Sequence, residues 1–157
     1  MGNKSTKERL KSIGRVKAIS VSKAKGTKKT NVPQAELKRG FGIVGDAHAG
    51  NWHRQVSLLS VESIEKMNAK GLKAAAGDFA ENITTEGIDL QKLSLGSRLR
   101  VGESGEIEIT QFGKECNSRC RIFKEVGDCI MPREGVFAKV TKAGTIKVGD
   151  FIEVLDD

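Results

Sequence analysis

Three observations predict a mainly β or α+β fold, a β-barrel carrying a few short helices. Short β-branched segments recur along the chain, glycine-rich turns separate them, and a single clear helical period occurs without any alternation of strand and helix. With 157 residues the chain suits one domain, and a domain of that size buries about 68–70% of the surface its unfolded chain exposes. Residues 1–12 are polar and basic and read as a flexible start, with the single domain over 13–157.

Val16–Ser22 (VKAISVS) alternates enough for a first strand. The basic stretch Lys23–Thr30 (KAKGTKKT) follows and reads as a solvated loop, with phosphate gripping as the other reading. Val32 and Pro33–Lys38 form a second extended segment, since Pro is tolerated at a strand start or edge. Gly40–Gly50 (GFGIVGDAHAG) is a glycine-rich turn. Gln55–Leu59 is a strand, and Ser60 caps a helix over Val61–Lys70. There Val61, Ile64 and Met67 share a face, and Gly71 ends the helix.

Gly77–Gly87 (GDFAENITTEG) reads as a polar loop anchored by Phe79 and Ile83, and Leu90 with Leu93 as a helical turn. Leu99 and Val101, the turn Gly102–Gly105, then Ile107 and Ile109 form a hairpin leading to Cys116. Beyond Pro132, strands are expected at Val136–Thr141, from Gly144, and at Phe151–Leu155.

The net charge of +7 and pI near 9.4 favour anionic partners. Nucleic acid is the weaker choice, because 4% aromatic residues and no Tyr leave few stacking platforms. No run of 18 apolar residues exists and the N-terminus lacks an apolar leader core, so no membrane association and a cytoplasmic location are expected. Three cysteines without a secretion signal argue for reduced thiols.

All three cysteines fall in Cys116–Pro132 (CNSRCRIFKEVGDCIMP), beside Lys114, Arg119, Arg121 and Lys124, neighbours that favour the nucleophilic or metal-ligating thiolate. Cys129, next to Ile130 and Met131, reads as a small core residue, whereas Cys116 and Cys120 lie among polar residues and read as functional. A second polar concentration gathers Asp46, His48, His53 and Arg54 within nine positions after the glycine-rich turn. Glu81 and Asn82 are read as satisfying their own loop's backbone. A zinc site from the three cysteines and one His is a further reading, although C-x3-C and C-x8-C do not repeat the paired pattern of structural sites.

Six phrases, GIVGDAHAG with HRQVSLLS, GDFAENITTEGIDL, LSLGSRLRVG, GKECNSRC, MPREGVFAKV and GTIKVGD, together resemble successive blocks of a stand-alone MOSC domain, the family of the C-terminal part of molybdenum cofactor sulfurase. The resemblance spans roughly Ile13 to Leu155. It implies a MOSC-type β-barrel whose central cysteine ligates the molybdenum of a pterin cofactor or carries sulfur. The SRC phrase favours Cys120 as ligand, and counting from Ile107–Gln111 favours Cys116, where Glu115 replaces the Pro of a family Pro-Cys pair. On the same resemblance Arg54 and Arg119 would clamp phosphate, as a guanidinium fork matches its oxygens. Asp46, His53 and Arg133 would join the cofactor site, Glu81 with Asn82 would orient pterin or substrate, and His48 would supply protons.

The activity implied is reduction of N-hydroxylated compounds. No flavin, iron-sulfur or haem signature is present, so electrons would come from a separate electron-transfer protein. The alternative is a sulfur carrier or cofactor-delivery protein that receives a Cys persulfide from a partner cysteine desulfurase, the pyridoxal phosphate being the partner's.

Overall fold

The computed structural model describes residues 13–25, 27–113 and 130–155. Eleven strands and two short helices follow one another along these residues: β1 Ile13–Val21, β2 Thr30–Val32, β3 Gln34–Lys38, β4 Gly42–Ile43, β5 Val56–Ser60, α1 Val61–Ala69, β6 Ile83–Glu86, β7 Arg98–Val101, β8 Gly105–Phe112, α2 Met131–Glu134, β9 Val136–Lys142, β10 Gly144–Lys147 and β11 Phe151–Leu155. A 3₁₀ turn at Leu90–Lys92 links β6 to β7.

Seven strands close a barrel in the order β11-β7-β8-β9-β5-β6-β1, sealed by Ile13 opposite Glu153 and Arg15 opposite Phe151. Closure removes the free edges that an open sheet would present. β2 adds to β1, and a small sheet β10-β3-β4 packs beside the barrel. The barrel fills with side chains at alternate positions: in β1 Val16 is buried and Arg15 and Lys17 are exposed, and Leu99, Val101, Ile107 and Ile109 point inward from the β7–β8 hairpin. Leu37, Ile43 and Ile146 of the small sheet join the same core. The mainly β barrel expected from the sequence is therefore the fold of the chain.

Three expectations need correction. β5 and β6 are parallel, with Leu58 opposite Ile83, so one strand-helix-strand unit exists although the sequence reading found none. Its signature is short, because α1 has only nine residues. The stretch 77–87 is not all loop. Ile83–Glu86 is a barrel strand, and its Thr84 and Thr85 are wholly buried, β-branched residues that suit a strand despite their polarity. Pro33 also divides its extended segment in two: β2 pairs with β1, and β3 pairs with β4 and β10.

β5 is buried along its whole length because both of its faces are covered. Leu58 faces the barrel core, and Leu59 faces a second core made with Ile64 and Met67 of α1, Phe79, Ile130 and Phe137. Ser60 caps α1 as expected, its hydroxyl accepting from the Ser63 amide at 3.0 Å. This second core makes the flank on which the candidate site is built.

Candidate functional site

The loop 44–55 enters β5 across this flank and is pinned at its start by Asp46. One carboxylate oxygen accepts from the Ser22 amide (3.0 Å) and from Lys29 Nζ (2.7 Å), and the other accepts from the His48 amide (3.0 Å). Both side chains of the Lys29–Asp46 pair are fully buried. Burial alone would raise the Asp46 carboxyl. The Lys29 hydrogen bond and charge, the Ser22 amide and the Asn82 side chain outweigh it and hold the group below its usual value.

Lys29 belongs to the stretch read from sequence as solvated. That reading holds for its neighbours and fails for this residue, which is 5% exposed. Its ammonium donates to Asp46, to Ser22 Oγ at 3.0 Å and to His48 Nδ1 at 3.1 Å, three contacts for three N–H groups. Sequence reasoning missed it because Lys23, Lys25 and Lys28 surround it with the same letter. Gly77 lets the neighbouring loop approach: at φ +92°, a Cβ there would lie 2.6 Å from the Lys29 carbonyl.

Trp52 comes next. Its indole N–H donates to the His48 carbonyl at 2.7 Å, and two cations approach its ring, Lys25 and Arg54, each 4.6 Å from the centroid. The Arg54 guanidinium also lies 5.7 Å from the Phe137 ring. It is held by aromatic faces and not by polar partners. Its Nε is buried without a hydrogen bond, and no hydrogen bond or ion pair engages the rest of the fork among the described residues. A buried donor left unpaired costs about 1–3 kcal/mol, more for a charged group, so the arrangement is complete only with an acceptor.

His53, exposed, meets Gln111 through Nε2 (2.8 Å), and its carbonyl accepts from the Thr110 hydroxyl. These contacts tie the loop to the end of β8, where the chain leaves the barrel toward the cysteines. Gln111 donates to the Gly113 carbonyl at 2.7 Å, and the Gly113 amide donates to the Gly135 carbonyl at 2.7 Å. Gly113 sits at φ +62°, and a Cβ there would lie 2.4 Å from the Pro132 carbonyl. The chain thus departs at Gly113 and returns at Ile130 within one small region, beside His53 and Phe137.

Glu81 and Asn82 come immediately before β6, and the Asn82 side chain reaches Asp46. Asn82 accepts from the Ser57 amide (2.9 Å) and donates to the Ser20 carbonyl (3.1 Å), and Glu81 accepts from the Phe79 amide (3.2 Å) and the Thr84 hydroxyl (3.0 Å). Both side chains are wholly buried; Glu81 satisfies its own loop, as read from sequence, whereas Asn82 bonds the backbones of β5 and β1 instead. Among the described residues no cation pairs with Glu81. Burial, only partly offset by the Gly77, Phe79 and Glu81 amides and Thr84, pushes its carboxyl up to about 7.

Of the residues singled out from sequence, Asp46, His48, Arg54 and Asn82 are therefore linked through Lys29 and Trp52, with His53 at the base of the cysteine stretch. Arg133 stands on α2, one Nη 3.8 Å from Met67 Sδ. Cys116, Cys120, Cys129 and Arg119 lie outside the described residues. Among the described residues no group of three His, Cys, Asp or Glu converges as a metal site, and no helix is long and apolar enough to cross a membrane.

The family model for the MOSC domain matches residues 45–153, from the Asp46 loop to the closing strand. The chain belongs to the MOSC domain family. YuaD of Bacillus subtilis superposes with a TM-score of 0.76 at 20% identity, over 90% of this chain and 95% of that one. YiiM of Geobacillus stearothermophilus gives 0.69 at 18%, over 91% and 75%, and YiiM of Escherichia coli 0.66 at 18%, over 91% and 70%. At these identities the likeness is one of fold. No curated protein matches the sequence. The MOSC family is associated with the molybdenum cofactor, and the residues of this flank suit an anionic, phosphate-bearing group, since Arg54 presents an unpaired fork in an aromatic cradle.

Proposed function

We propose that the protein binds the molybdenum cofactor and supports reduction of N-hydroxylated compounds. The observation that carries the reading is Arg54, a guanidinium with a buried Nε and no polar partner among the described residues, standing beside the place where the cysteine stretch leaves and rejoins the barrel. In this reading Arg54, with Lys25 across the Trp52 ring, holds the phosphate. Arg119 and Arg133 add charge from either end of the cysteine stretch. Cys120, or alternatively Cys116, supplies a thiolate to molybdenum, a metal soft enough to take one. His53 and Gln111 set the position of the stretch, Asp46 and His48 form the wall beside it, and Glu81 with Asn82 shape that wall from behind.

When bound, the cofactor supplies a centre that passes electron pairs to the substrate. The overall change is balanced: the N–O bond of an N-hydroxy group breaks, two electrons arrive from a reduced electron-transfer protein, two protons are taken up, and an amine-type nitrogen and water result. The chain's part is to bind, to orient and to exclude bulk water from the flank.

Molybdenum and pterin content, measured after expression in a host that makes the cofactor, tests the reading. Both are expected in the parent protein. Cys120→Ala, or Cys116→Ala if that residue is the ligand, should lose the metal, and Arg54→Ala should lose most of the pterin while remaining folded. A parent protein free of both metal and pterin overturns the reading. A single added sulfur atom on Cys120 or Cys116 after incubation with a cysteine desulfurase and cysteine would then point to the sulfur-carrier alternative.

A further inference from the structure

A buried lysine whose ammonium reaches a hydroxyl and an imidazole as well as a carboxylate does more than balance that carboxylate. An ammonium has no lone pair, so the nitrogen it meets must offer one. The nitrogen facing Lys29 Nζ at 3.1 Å is His48 Nδ1, and the same ammonium is fixed by Asp46 at 2.7 Å and Ser22 at 3.0 Å. Nδ1 therefore accepts, and the ring's proton belongs on Nε2. We infer that Lys29 is a positioning residue that holds His48 as a neutral imidazole protonated on Nε2. This changes the chemistry open to His48. A neutral imidazole donates a hydrogen bond through Nε2–H but is a very poor acid, so the residue polarises or orients an oxygen and does not supply the protons expected of it from sequence.

The surroundings support this assignment. Among the described residues, Lys29 from the preceding loop and Asp46 from its own loop face the ring, the second Asp46 oxygen lying 3.8 Å from Nδ1. That oxygen already accepts from the His48 amide. Lys25 and Arg54 approach Trp52, whose indole N–H fixes the His48 carbonyl, and from the β6 side the neutral Asn82 reaches Asp46. Of the two groups facing the ring, the Lys29 ammonium, at 3.1 Å, stands closer to Nδ1 than the Asp46 carboxylate oxygen at 3.8 Å. Asp46 is firmly ionised, and it anchors the ammonium in place.

The inference rests on the proposed function only for the reaction that His48 serves, and its test needs no cofactor. Two-dimensional NMR of protein labelled with nitrogen-15 in its imidazoles resolves two histidines, and His53→Gln identifies the remaining signal as His48. At neutral pH the Nδ1 signal of His48 is expected to carry the lone-pair signature, with the proton coupling on Nε2. A protonated Nδ1 in the parent protein overturns the inference.

In Lys29→Met the donor is gone and Asp46 is left unpaired, so Nδ1 should gain a proton and its signal should shift to the protonated position. An unchanged signature in folded Lys29→Met also overturns the inference. Should that variant fail to fold, Lys29→Met/Asp46→Asn removes both charges together. Both tautomers are then expected, and Nε2–H as the only species counts against Lys29. Because the spectra are recorded without cofactor, a result against Lys29 leaves the molybdenum analysis standing. An empty protein in that analysis leaves the imidazole state standing.

Discussion

Asp46 and Glu81 are two carboxylates buried on the same flank, yet they titrate in opposite directions. Asp46 has a cation, Lys29 at 2.7 Å, and its carboxyl is held low. Glu81 has only amides and a hydroxyl, and its carboxyl is pushed up to about 7. Neutral dipoles do not make up for lost water around a charge, whereas a full opposite charge can. The contrast also separates two jobs. The paired carboxylate, held below its usual value, fixes the Lys29 ammonium beside His48. The unpaired one holds its loop through bonds whose strength depends on its own proton.

Removing the cation from the first site should have the largest effect. Lys29→Met leaves Asp46 buried without a partner, and breaking a buried pair in this way costs about 3–5 kcal/mol. Urea unfolding at neutral pH should show that loss. The double variant Lys29→Met/Asp46→Asn should recover a good part of it, because no unpaired charge remains. A single variant within about 0.5 kcal/mol of the parent would mean that the pair is not buried as described.

The second site makes a smaller change, of opposite sign in pH. For Asp46, whose folded value lies below its unfolded one, the contribution is present above the unfolded value and is lost as pH falls through the folded one. For Glu81 the folded value of about 7 exceeds the ordinary carboxyl value of 4.5, so the folded state binds the extra proton between them. Stability from Glu81 is therefore greatest below about 4.5 and declines as pH rises toward 7, by on the order of 3 kcal/mol. Glu81→Gln carries no titrating proton and should flatten that decline, gaining on the parent as pH is raised from 5 to 8 (about one unit beyond each end of the window). Denaturation profiles of the two proteins that run parallel across this range would exclude Glu81 as the titrating group.

The sequence showed the barrel's parts better than their closure. Ser60, the apolar face of Val61, Ile64 and Met67, and Gly71 announced α1, and the alternation at Leu99–Ile109 announced a hairpin, because both signals are local. The seam between β1 and β11 joins residues near the two ends of the described chain, and no local period reports such a pairing. β6 was hidden by its own polarity and that of its neighbour: Asn82, Thr84 and Thr85 look like loop letters, yet Asn82 bonds to Ser57 and Ser20, Thr84 bonds to Glu81, and all three are wholly buried. The Asp-His-His-Arg concentration was visible. The difference between Lys29, with every donor placed, and Arg54, with an orphaned Nε, was not, since it depends on what the fold brings within 3 Å of each.

Thr84 gives the finest test of the contrast. Its hydroxyl donates to Glu81 at 3.0 Å, and it is wholly buried in β6, so Thr84→Val keeps the shape and removes one donor. A hydrogen bond to a charged acceptor is worth about 1.5–3 kcal/mol and one to a neutral acceptor about 0.5–1.5 kcal/mol. The variant should therefore lose more stability above pH 7, where Glu81 is ionised, than near pH 5, where it is protonated, by about 1 kcal/mol. The same deletion withdraws support from the charged form, so the Glu81 transition itself should move to higher pH. In an Asp46→Asn background the shift should persist unchanged, because Asp46 is not among the groups that set the Glu81 proton. A loss independent of pH would show instead that the Thr84 hydroxyl serves packing alone, and that the loop amides are what hold the Glu81 carboxylate.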